Sequence, residues 1–367
     1  MRKVKIELPP VPARFRHTVG DLLVWCAQLP RVKCAVLPTT TFRSNPLPVG
    51  DRLFASVFSP GAVIAVDRNA GQRLWRRRIT PFAGSQLLFS GSILYAKSPH
   101  SLYGLHPEDG RLIWTFSPHG TRGETMYSAP SVGGGRLFIG DRAGYLHALN
   151  AETGQPAWSV LTSRAKNNDV NGPPLVDGEQ VVVATNAGRV LCLDARTGKV
   201  IWTQSVGSPS THEIGVVPGG FLVASTFSLC WLNPSTGALL SRRSFPRRWI
   251  LSYICRGRLT LAVLASKNDG SHEIAGLRDD AVVFRRDEEF LDSLRWLPDG
   301  SIVETRFDGL GVLDPTTGER LHDVRFSDEC GAAPPAIGDR HLYALTRSGR
   351  LLALRWPPPE GSSSHAA

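Results

Sequence analysis

The chain is poor in lysine and in paired cysteine. Only seven of its 42 basic residues are lysine, and 35 are arginine. Its six cysteines (Cys26, Cys34, Cys192, Cys230, Cys255 and Cys330) form neither an adjacent pair nor a C-x-x-C. No two Cys or His share the short spacings that zinc sites use, so a structural zinc is excluded. No apolar stretch approaches the ~18–20 residues of a membrane-spanning helix. The N-terminus starts basic, but Pro9, Pro10 and Pro12 fall where a signal peptide needs an unbroken apolar core. The run Leu22 to Ala27 is too short and too far in for that role. Cys26 follows a Trp and Cys34 a Lys, so no early cysteine stands in a lipidation-like setting. These absences predict a cytoplasmic protein whose cysteines are reduced and mostly buried. The ten histidines are dispersed with no His-Asp-Ser or His-x-x-His grouping, and His147 reads as a packed or surface strand residue. Gly133 to Gly135 lacks the following helix that a phosphate loop requires.

What is present is 367 residues with 42% hydrophobic content, enough for a sizeable core. Thirty-six Gly and 27 Pro suit many short strands joined by turns. A net charge of +10 invites an anionic partner. The arginines, however, cluster as Arg76 to Arg78, Arg242–Arg243, Arg247–Arg248 and Arg285–Arg286, all on or just after strands read below as outermost. Charge on outer strands guards against edge-to-edge pairing. A nucleic-acid groove interleaves such residues with exposed aromatics on one side. Nucleic acid is therefore disfavoured as a partner.

A tandem repeat governs the rest. VIAVDRNAGQRLW, LYGLHPEDGRLIW, LHALNAETGQPAW and VLCLDARTGKVIW align without gaps, ending at Trp75, Trp114, Trp158 and Trp202. Gly71, Gly110, Gly154 and Gly198 each precede their Trp by four residues, at intervals of 39, 44 and 44. Weaker copies place Ser241 and His322 in the Trp position after Gly237 and Gly318. A degenerate copy has Asp280 for the Gly and Phe284 for the Trp, and the last copy stops at Trp356 before any turn. Each copy reads as four short strands. In the turn between the third and fourth, Asp or Asn and Thr bond the local backbone, and Gly takes the positive φ. The Trp on the fourth strand buries a large ring against the neighbouring copy. A four-stranded sheet repeated radially is a propeller. About eight copies are counted.

The truncated last copy needs a fourth strand, and TVGDLLVWCAQL offers one, with Thr18, Gly20 and Trp25 in a one-residue distortion of the repeat. Residues around 22–29 are expected to pair with Leu351 to Trp356, closing the ring and removing two sheet edges. The expected organisation is thus all-β: an eight-bladed propeller of four-stranded antiparallel blades over 45–356. Residues 1–44 form a segment that supplies the closing strand, and 357–367 a flexible tail.

The spelling Ala-Leu-Asp-x-x-Thr-Gly-x-x-x-Trp resembles the repeat of the pyrroloquinoline-quinone (PQQ)-like, quinoprotein alcohol dehydrogenase-like propellers over nearly the whole chain. A WD repeat would show Trp-Asp, which is absent, and a kelch repeat regular double glycines. The resemblance implies the fold, while the superfamily spans quinone-dependent dehydrogenases, an outer-membrane assembly lipoprotein, kinase sensor domains and scaffolds. The dehydrogenases carry an adjacent Cys-Cys pair and a Glu, Asn and Asp set around calcium. The Cys pair and their large inserts are missing here, so no catalytic residue, cofactor or metal is carried over. The assembly lipoprotein is set aside because it needs a signal sequence and an acylated cysteine.

The expectation is therefore a non-enzymatic scaffold docking a partner protein, as a subunit of a larger bacterial complex. A small-ligand or quinone-binding propeller is the alternative, and a basic nucleic-acid accessory the second. Loops from each fourth strand to the next first strand share one face, and the longest are polar. They bring Arg122, Glu124, Lys166, Asn168, Asp169, His212, Glu213, Asp328 and Glu329 towards one rim, a mixed-sign surface suited to a protein partner. Loss of Trp from the fifth to seventh copies predicts altered packing there, and with it a specialised contact.

Overall fold

The computed structural model describes residues 15–18, 22–28, 45–57, 61–79, 87–118, 126, 128–164, 168–207, 213–288, 291, 293–297, 299–306, 309–326, 335–338, 340–346 and 350–356. Its strands form eight sheets in a ring, each with four strands joined in antiparallel order. We letter the strands of each blade a to d. Blade 1 comprises Leu47–Val49, Arg52–Val57, Ala62–Asp67 and Arg73–Arg78. Blades 2 to 5 run from Leu88–Ser90 to Leu112–Phe116, Ser131–Gly133 to Pro156–Leu161, Leu175–Asp177 to Val200–Ser205, and Gly215–Val217 to Leu239–Ser244. Blade 6 runs from Arg248–Arg256 to Ala281–Glu288, and blade 7 from Ser293–Trp296 to Arg320–Arg325. Blade 8 has Ala336–Ile337, His341–Leu345 and Arg350–Arg355, and takes its d strand from the N-terminal Leu23–Gln28. Strands a of blades 8 and 1 touch, as do those of several neighbours, which places the a strands around the axis.

The core lies between blades, not within them. Each sheet turns apolar side chains to both faces, and among the described residues eight hydrophobic clusters fill the eight interfaces. Leu53, Ile64 and Val66 of blade 1, for example, meet Tyr343, Leu345 and Leu351 of blade 8. Strands b and c are accordingly almost continuously buried, as two-sided burial demands.

The turn between c and d folds as its spelling requires. Asp194 Oδ1 accepts from the Thr197 amide at 2.7 Å and its hydroxyl at 2.6 Å, which holds the Asp194 carboxyl below its ordinary range. The following Gly198 sits at φ 74°. Trp158 of the preceding blade packs on that glycine, so a Cβ there would stand 2.8 Å from its indole. The same fit joins Trp75 to Gly110, Trp114 to Gly154, Trp202 to Gly237 and Phe284 to Gly318. Several indoles also donate Nε1–H to the next turn, as Trp75 does to Pro107 O and Trp202 to Pro234 O, both at 2.9 Å.

One local feature aims these rings. In every blade the c–d register slips by one residue just before the Trp position, leaving Val24, Leu74, Ile113, Ala157, Ile201, Leu240, Val283 or Leu321 as a β-bulge. A bulge re-aims the side chains beyond it. Here it turns the bulged residue outward and the wedge inward.

The copies without Trp keep the contact by other means. In blade 5, where Ser241 replaces the ring, Arg243 Nε donates to Asp280 O of blade 6 at 2.6 Å. In blade 6, Arg286 Nη1 donates to Gly318 O beside Phe284. The positive φ falls on Asp279, at 56°, and not on Asp280, which was expected to replace the glycine, because a two-residue turn joins the strands here; Arg258 grips the Asp279 carboxylate at 2.6 Å. Between blades 6 and 7 the wedge gives way partly to charge. Glu304, fully buried, binds Arg286 and Arg320, while Arg320 also reaches Glu288 at 2.8 Å and Arg306 pairs with Asp323.

The N-terminal segment does more than close the ring. Besides the closing strand, Phe15–Thr18 adds a parallel fifth strand outside Arg320–Arg325 of blade 7, with Phe15 opposite His322. A blade of four antiparallel strands was expected there.

Candidate functional site

The loops between strand d of one blade and strand a of the next carry the expected rim. Of its nine residues, Asn168, Asp169 and Glu213 are described; Arg122, Glu124, Lys166, His212, Asp328 and Glu329 lie outside the described residues. Asn168 and Asp169 are half-buried. The Asn168 amide donates to Ser163 O and lies against Gly144, leaving no room for a side chain there. Asp169 O accepts the Asn186 amide at 2.9 Å, and its carboxylate faces Arg142 at 3.7 Å. This pair therefore clamps the loop onto the b–c turns of blades 3 and 4. Glu213 is exposed ahead of blade 5, and its carbonyl accepts the Tyr253 hydroxyl of blade 6. Tyr253 also donates towards Leu222 O at 2.7 Å, and deep burial pushes its phenol well above the ordinary tyrosine range.

The sequence reading found no His-Asp-Ser grouping, yet the fold assembles one. His147 Nε2 meets Asp141 Oδ2 at 2.9 Å and Nδ1 meets Ser159 Oγ at 2.8 Å. Asp141 and His147 are buried, Ser159 is exposed, and Asp141 Oδ1 also accepts the Tyr145 amide at 2.8 Å. The signal was invisible in linear order because the three residues stand on a turn, strand c and strand d. They tie those three pieces of blade 3 together, with both ring nitrogens and the buried carboxylate satisfied.

A cavity of about 470 Å³ opens on the axis, lined from blades 1, 2, 6, 7 and 8. Its walls are mainly proline, leucine, isoleucine and the Trp296 ring, with Arg256 and Arg295 as the charged members. The quinone and calcium of the dehydrogenases do not fit this lining. It offers no carboxylate, and among the described residues no three His, Cys, Asp or Glu converge as a metal site. Of the described cysteines, Cys192 and Cys230 are buried, Cys255 is half-buried and Cys26 is exposed, so the expected burial holds only in part. Cys192 is buried, and burial raises both it and Cys255 to about 11, away from the thiolate.

Comparison with known proteins decides the family. The model of the outer membrane protein assembly factor BamB matches residues 59–249, just over half of the chain. The chain belongs to the BamB family. A BamB of Legionella pneumophila (strain Paris) is 32% identical over 87 residues, spanning 24% of this chain and 22% of that protein. The crystal structure of BamB from Moraxella catarrhalis superposes with a TM-score of 0.57 at 16% identity, over 84% of this chain and 82% of that one. The quinohemoprotein alcohol dehydrogenase of Comamonas testosteroni gives 0.73 at 14% identity, over 92% and 77%. At such identities these two likenesses show the fold alone.

The BamB match corrects the cytoplasmic expectation, since the family is that of an outer membrane protein assembly factor. It likewise restores the assembly-factor resemblance that was set aside. The prolines and cysteines that pointed to the cytoplasm lie in the first 34 residues, whereas the family match falls on the blades, over residues 59–249. Among the described residues no helix is long and apolar enough to cross a membrane.

Proposed function

We propose that this BamB-family propeller is a non-enzymatic scaffold that docks a partner protein, as a subunit of a bacterial complex assembling outer membrane proteins. Membership of the assembly-factor family over residues 59–249 carries the reading. Three rim residues support it: Asn168 and Asp169 are tied by hydrogen bonds to neighbouring backbone, and Glu213, on the loop ahead of blade 5, is exposed. Rigid polar groups around a funnel suit a protein partner, because little side-chain entropy is lost on docking.

Cross-linking in intact cells with a photoreactive residue at position 213 tests the proposal. A specific adduct with an envelope assembly protein, lost on Asp169→Arg, is expected. Absence of any adduct, or adducts only with cytoplasmic proteins, would overturn it.

A further inference from the structure

The axial cavity has a second, chemically distinct character. Strands a of blades 6 and 7 bring two guanidiniums to it, from Arg256 at the end of one strand and Arg295 near the end of the next. Arg256 is held in place: Nη1 donates to Leu297 O at 3.3 Å, and its Cζ lies 5.8 Å from the centroid of the Trp296 ring. Arg295 is half-buried and makes no hydrogen bond or ion pair among the described residues. Leu87, Leu297 and Ile337 line the same cavity. A half-buried guanidinium that meets no protein acceptor among the described residues keeps its donors available to a ligand in the cavity. Desolvation accordingly pulls Arg295 below the usual arginine range, only partly opposed by the more distant charge of Glu213.

We propose that this cavity binds a small amphiphilic organic anion, its head on Arg295 and Arg256 and its apolar body against Leu87, Leu297, Ile337 and the Trp296 ring. The volume lies within the ~300–1,000 Å³ of small-molecule pockets. Two cations in a wall whose other side chains, Asn45 apart, are mainly apolar can share one charged head. A polyanion would leave charge unpaired against hydrocarbon, so it is the poorer fit. The site is built from channel residues and does not rest on the scaffold reading.

Paired fluorescent probes test it on the full chain: 8-anilino-1-naphthalenesulfonate, and the neutral N-phenyl-1-naphthylamine, which shares its aromatic body. The sulfonate is expected to bind saturably at one site per chain, at least tenfold tighter than the neutral probe. Arg295→Gln should erase that tenfold preference and Arg256→Gln should reduce it, with Arg78→Gln on an exposed outer strand unchanged. Should Arg295→Gln fail to fold, Arg256→Gln decides alone. Equal affinity for the two probes, several sites per chain, or an undiminished preference in folded Arg295→Gln or Arg256→Gln would overturn the proposal.

Discussion

The indole of Trp25 packs against Gly71 of the first blade so closely that a Cβ on the glycine would stand 2.6 Å from the ring. Its Nε1–H donates to Arg68 O of the same turn at 2.9 Å. The N-terminal strand thus closes the ring with the wedge that successive blades use between themselves.

Trp25→Ala should open that seam. Loss of the ring and its hydrogen bond is expected to cost about 3–5 kcal/mol. Urea unfolding would measure the loss, and limited proteolysis should release the N-terminal segment first. A variant as stable as the parent would show that closure is carried by backbone pairing alone.

Gly237→Ala strikes one seam twice. The residue sits at φ 72°, and the new methyl would meet Trp202 at 2.4 Å. The backbone term is about 1 kcal/mol or more and overpacking adds about 1–3 kcal/mol. Gly178→Ala, at φ 58° with open space around it, should show the backbone term alone. The difference between their unfolding midpoints therefore isolates the wedge.

Lys97 gives the stability a pH signature. It is buried, donates to Met126 O, and desolvation lowers it to about 8 from 10.5. Between those values the unfolded chain binds more protons than the folded one, so stability rises with pH across that window. The gain relative to Lys97→Met should reach about 3 kcal/mol between pH 7 and 11, read from paired denaturation curves. Parallel curves for the two proteins would refute the assignment.

The charge network between blades 6 and 7 should be intolerant of single removals. Glu304→Ala leaves Arg320 and Arg286 sharing Glu288 alone beside a buried void, at an expected cost of about 3–5 kcal/mol. Arg258→Ala, which removes an exposed partner of Asp279, should cost far less. Comparable losses in the two variants would argue against a buried network.

Much of this fold was legible in advance, because its wedge and its turn are each spelled by residues with little substitute chemistry. Trp at a fixed distance from Gly marked the c–d turn in four copies, and Trp25 betrayed the closing strand although its register is distorted. The bulge before each wedge left no mark beyond an apolar residue such as Leu74 or Ile201, which reads as core until the pairing shows it facing out. Within Phe15–Thr18 only Thr18 belongs to the repeat spelling, and there it reads as turn, so the parallel pairing was hidden. The rim was legible as polarity but not as role: Asn168 and Asp169 serve their own loop, while the cavity arginines fell outside every loop considered. Arg295 lies on an inner strand, and only closure of the ring brings it to the axis beside Leu87.

Because Leu23–Gln28 must await Arg350–Arg355, a strand from early in the sequence completes the last blade of the ring. At ~5–20 residues per second, a ribosome separates these two partners by about twenty seconds to a minute. Throughout that interval the slot over Gly71 stands vacant and the nascent amino-terminal strand is unpaired. Completion of the circle therefore rests on partners far apart in sequence, and closure should be the slow step of folding wherever the chain folds.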